Sequence, residues 1–83
     1  MMTGRQVAAA RKTLGFRWGL NRSLKPVELG LLLHLHSPKP GNSVHNWERG
    51  HSQISGPASR AIEAMLDGWI PNDRDKHLGS ADE

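Results

Sequence analysis

The sequence predicts an all-α protein, a compact bundle of four to five short helices. Three observations lead there. Apolar residues recur at three- and four-residue spacing in each long segment. Gly, Pro and Asn breakers separate those segments, and no convincing strand appears. Eighty-three residues suit one domain, which at this size buries only roughly 60% of its unfolded surface. A large catalytic cavity is therefore not expected.

The first helix is read from TGRQVAAARKTLG. Thr3 followed by Gln6 forms a capping box, in which each side chain accepts the other residue's backbone N–H. Val7, Ala10, Arg11 and Leu14 follow at helical spacing, and Gly15 is the expected left-handed stop. FRWGLNRS is a loop with anchored aromatics, or a short hairpin.

LKPVELGLLLHL is the most apolar stretch and predicts a central second helix. Pro26 fits its first turn, where a missing N–H costs nothing. Gly30 sacrifices nearly 1 kcal/mol of helix propensity relative to Ala, which implies close approach by another backbone. HSPKPGN interrupts the pattern, and a third helix resumes through residues 42–49 to stop at Gly50. HSQISG turns the chain into a last helix over PASRAIEAMLDGWI. There Ala58, Ala61, Ile62, Met65, Leu66 and Trp69 share one face about 140° wide. Pro71 onward is polar and aperiodic. The expected organisation is a domain over 1–70 and a disordered tail over 71–83.

Charge is uneven along the chain. Arg5, Arg11, Lys12, Arg17, Arg22 and Lys25 precede the first acidic residue, Glu28. Asp73, Asp75, Asp82 and Glu83 outnumber Arg74 and Lys76 at the end, and the net charge is +3. A basic body with a weakly acidic tail suits a polyanionic partner. There is no cysteine, hence no disulfide framework and no thiolate metal site. No signal-like leader and no stretch near ~20 apolar residues is present, so the expected location is the cytoplasm, at the nucleoid.

The third helix has two chemically distinct sides. At 100° per residue, Asn42, His45, Asn46 and Arg49 form one stripe about 100° wide, while Val44 and Trp47 lie opposite, facing a core. A solvated face ordinarily carries Glu and Lys. Asn can instead pair bidentately with adenine and Arg with guanine, and His can donate or accept. Two short helices, the second displaying such a stripe, make the helix-turn-helix arrangement.

SLKPVELGLLLHL, NSVHNWERG and ISGPASRAIEAML together resemble the Cro/C1-type (XRE-like) helix-turn-helix family over roughly residues 3–70. Leu24, Leu29, Gly30, Leu32, Leu33, Val44, Trp47, Glu48 and Gly50 occupy the family's patterned positions. The resemblance implies a lambda repressor-like fold whose motif core includes Leu29, Gly30, Leu33, Val44 and Trp47. It also implies that Asn42, Ser43, His45 and Asn46 face the major groove of double-stranded DNA, flanked by Arg49. Lys25, Lys39, Arg17 and Arg22 are the expected phosphate contacts. Glu48 is expected to pair with a cation of the first helix such as Arg11. The chain departs from the family in a longer turn at HSPKPG and in Pro26, where the family often has Gln.

The implied function is sequence-specific transcriptional regulation, in the manner of a small phage or prophage repressor on a palindromic operator. Alternatives are an autoregulating antitoxin of a toxin–antitoxin pair, or a protein-interaction module on the same fold. Met65 and Trp69 either close the core or form a homodimer contact. No enzyme activity is expected, because no nucleophile turn or oxyanion loop accompanies the Ser, His and Asp residues. No cofactor or metal is expected either. His34 and His36 would point about 200° apart on a helix, and the five histidines show no shared ligand face with carboxylates.

Overall fold

The computed structural model describes residues 2–35 and 38–79, and every regular element among them is a helix. α1 spans Gly4–Arg17, α2 Pro26–Leu32, α3 Pro40–Arg49, α4 Gly56–Leu66 and α5 Arg74–His77. Val7 and Leu14 of α1, Leu29 of α2, Val44 of α3 and Ile62 of α4 are all fully buried and meet in one apolar core. α2 packs most extensively on α3, α1 rests on α3 and α4, and α5 lies on α2. Among the described residues no helix is long and apolar enough to cross a membrane.

Local chemistry explains the helix starts. The capping box forms as expected: Thr3 Oγ1 accepts Gln6 N–H at 3.2 Å and Gln6 Oε1 accepts Thr3 N–H at 2.8 Å. Pro26 and Pro40 open α2 and α3, and Ser55 caps α4 through Ala58 N–H at 3.3 Å. α3 therefore begins two residues before the expected Asn42.

The four longer helices end alike. In each, a residue with positive φ follows the last turn, and its N–H and the next one reach back to carbonyls of that turn. Gly19, Gly50 and Gly68 fill this position after α1, α3 and α4, whereas His34 fills it after α2 with φ 56°. The second helix thus stops short of the expected Leu35.

Gly15, read as a stop, lies inside α1. Its missing Cβ admits the Arg22 carbonyl, which a methyl group would strike. Sequence spacing alone does not separate a glycine kept for close approach from one kept for a left-handed turn. Gly30 answers its expectation: a Cβ there would sit 2.7 Å from Pro40 Cβ and 2.8 Å from the Pro40 backbone. α2 and α3 can cross closely only because this position is bare.

The tail also differs from expectation over residues 71–79. α5 forms, Leu78 packs against the core, Arg74 lies 5.3 Å over the Trp18 ring, and Gly79 N–H donates to Glu28 Oε2. Three contacts distant in sequence hold a segment that has little periodicity of its own. The remainder of the expected tail, 80–83, lies outside the described residues, as do His36 and Ser37 of the long turn.

Candidate nucleic-acid interface

α3 divides as its angular pattern indicates. Val44 is 0% exposed and Trp47 8%, whereas Asn42, His45, Asn46 and Arg49 are all exposed and Ser43 is half-buried. Leu29 and Gly30 are buried beneath it, and Leu33 packs on the core's edge. Gly41 faces Val27 of α2, where an added Cβ would approach the Val27 N to 3.1 Å. Two glycine contacts, Gly30 on Pro40 and Gly41 on Val27, thus set how α3 sits across α2.

The acid in α3 does not share the outer face. Arg11 Nε donates to Glu48 Oε2 at 2.6 Å and Arg11 Nη2 to Glu48 Oε1 at 2.8 Å. Arg11 Nη1 also donates to the Leu24 carbonyl at 2.7 Å, so one guanidinium joins α1, α3 and the approach to α2. Both side chains are largely shielded, 17% and 14% exposed. The outward side of α3 is left with amides, an imidazole and one cation.

The expected phosphate contacts fall into two groups. Lys25 and Lys39 stand at the N-caps of α2 and α3. Arg17 and Arg22 reach across the molecule to other elements. Arg17 Nη1 donates to the Leu66 carbonyl at 2.7 Å and the Met65 carbonyl at 3.3 Å, neutralising the C-terminus of α4. Arg22 grips both oxygens of Glu28 at 2.9 and 3.0 Å.

Glu28 is the residue sequence reasoning passed over. It is fully buried, and its oxygens accept Arg22, the Lys25 N–H at 2.7 Å and the Gly79 N–H. Burial pushes its carboxyl up, but these donors outweigh burial and hold the pKa at about 2, against an ordinary 4.5. The available signal was its position: the third residue of a helix opened by Pro26 is where a carboxylate accepts the cap N–H.

A second cluster corrects the expectation that histidines and carboxylates do not converge. Asp73 Oδ2 lies 2.8 Å from His34 Nε2 and 3.0 Å from His77 Nε2. The His77 hydrogen bond holds the Asp73 carboxyl below the usual carboxylate range, against partial desolvation. Asp73 and His77 are four residues apart, a spacing visible in the sequence; His34 joins them only through the fold.

Met65, one of two residues expected on a dimer surface, is 1% exposed and belongs to the core. Trp69 is 51% exposed, as is the adjoining Ile70, because α4 ends at Leu66 and Gly68 redirects the chain. Compared with known proteins, the chain matches no protein-family model, no curated protein and no solved structure.

Proposed function

We propose that the protein is a sequence-specific DNA-binding regulator whose α3 enters the major groove. The observation that carries this reading is the withdrawal of Glu48 onto Arg11, which leaves Asn42, His45, Asn46 and Arg49 outward on a helix without an outward carboxylate. A carboxylate there would repel phosphate. Amides and a guanidinium match the donor and acceptor patterns of adenine and guanine. Lys25 and Lys39, at the starts of α2 and α3, are the proposed phosphate contacts. Repression by occlusion of a promoter in the cytoplasm follows as the simplest mechanism.

A two-fold dimer belongs to this reading. One chain carries one such helix, and its longest extent of 30 Å falls short of the ~34 Å between successive major-groove faces. Trp69 and Ile70 are the proposed contact, since neighbouring exposed apolar residues of this size are unusual on a small monomer.

The test is binding to the DNA upstream of the protein's own gene, followed by fluorescence anisotropy across a salt series. The reading requires a specific complex that weakens steeply with salt. Asn46→Ala should abolish discrimination between that DNA and random sequence while the helical circular dichroism persists. Equal wild-type affinity for both DNAs, without a footprint, would refute the proposal.

A further inference from the structure

Among the described residues four helices stop with the same left-handed turn, and three use glycine for it. The exception is His34. An L-residue is disfavoured in that conformation, and His is less suited than Gly although better than most. Its side chain is 67% exposed, so core packing does not account for it. What the position does is direct Nε2 toward Asp73 and His77.

Those two residues come from the other end of the chain. Asp73 is the N-cap of α5 and His77 its last residue, so a single helical turn sets them on one side. The ligand atoms of His34, Asp73 and His77 all lie within 4.8 Å of one another. The two imidazole planes stand at 80° with centroids 6.3 Å apart, so each ring approaches the common centre from its own direction. Bonds of about 2.0–2.1 Å to nitrogen or oxygen set tetrahedral donors about 3.3 Å apart. The observed 2.8 and 3.0 Å separations from Asp73 fall short of that by a few tenths of an ångström, and the two histidine ligand atoms lie within 4.8 Å of each other.

We infer that His34, Asp73 and His77 form a binding site for a divalent transition-metal ion of the zinc type. Two imidazoles and one carboxylate make a borderline donor set, which suits Zn²⁺ and its neighbours. Thiolate-seeking Cu⁺ and the oxygen-seeking Ca²⁺ and Mg²⁺ fit it poorly. The exposed His34 edge leaves room for water in the remaining position. Binding places each metal-facing Nε2 in its unprotonated form, with the imidazole proton on Nδ1, and replaces the Nε2–H to Asp73 hydrogen bonds with metal bonds. The ion would tie the end of α2 to α5 and brace the segment that also covers Glu28.

Zinc chloride titrated into the untagged full chain by isothermal calorimetry tests the site. One ion should bind per chain, and the melting temperature should rise with added zinc. His34→Asn keeps a residue that tolerates the left-handed turn, so the fold survives while a ligand is lost. It should weaken zinc binding by more than about tenfold, the lower end of what even outer-sphere changes cause at metal sites. Asp73→Asn and His77→Asn should do the same, and His51→Ala should not alter binding. Failure of the wild type to bind zinc saturably, or retention of affinity to within about tenfold in His34→Asn, overturns the proposal.

Discussion

Arg11 on α1 and Glu48 on α3 are joined by two parallel charge-assisted hydrogen bonds of 2.6 and 2.8 Å, and the same guanidinium holds the Leu24 carbonyl. The pair is mostly out of water, so either partner left alone is costly. Arg11→Ala should destabilise the protein by about 2–4 kcal/mol in urea unfolding. Arg11→Lys should recover little, because an ammonium cannot span both carboxylate oxygens and the carbonyl in this fork geometry. Arg11→Ala combined with Glu48→Ala should cost less than the sum of the two, by at least about 1 kcal/mol. Strict additivity would mean the two groups do not act as a unit.

Glu28 makes stability depend on acid. Its folded pKa of about 2 lies below the ordinary 4.5, so its contribution is complete above pH 4.5 and is lost as pH falls toward 2. The size is about 3 kcal/mol by proton linkage. Urea unfolding of the wild type and Glu28→Gln at several pH values isolates this group, because the other carboxylates are common to both. The stability gap should be largest near neutrality and close between pH 4.5 and 2. A gap independent of pH across that window would show that the folded carboxyl is not held below its ordinary 4.5.

Gly30 sets helix propensity against packing. Alanine would gain about 1 kcal/mol from propensity. Its Cβ would meet Pro40 at 2.7 Å, and overpacking of this kind costs typically 1–3 kcal/mol, here with a rigid ring and backbone that cannot swing away. Gly30→Ala should therefore lower the melting temperature. Gly56→Ala, where nothing lies within 4 Å of the new Cβ, should leave it unchanged or raise it slightly. The comparison holds substitution constant and varies only the space available.

These residues also show where sequence reading succeeds. Val44, Trp47 and the outer stripe of α3 follow from angular spacing, which depends only on local helix geometry. Glu48 pairs with Arg11 as expected, because a largely shielded carboxylate needs a nearby cation. Gly15 departs from its expected role because a bare Cα serves both tight turns and close crossings, and only the position of Arg22 distinguishes them. The order of residues 71–79 is not legible in the sequence because their anchors lie far away in it: Gly79 on Glu28, Arg74 on Trp18 and Asp73 on His34. Hydrophobic periodicity registers neighbours within one helix, and none of these pairs shares one.

Arg17 gives a test that separates structural cations from the proposed phosphate contacts. Its position in the basic N-terminal third suggested DNA, yet its guanidinium donates to the Leu66 and Met65 carbonyls at the end of α4. Those contacts are partly exposed, so Arg17→Ala should cost about 1 kcal/mol of stability through lost capping of that helix end. It should leave the salt dependence of DNA binding unaltered. Lys39→Ala, at the start of α3, should instead reduce the slope of log affinity against log salt by about 1. Measured on folded protein well below its melting temperature, the two variants should thus differ in opposite observables. If Arg17→Ala were the one to flatten the salt dependence, its guanidinium would have to leave α4 for the DNA backbone, and Arg17 would return to the interface the sequence first suggested.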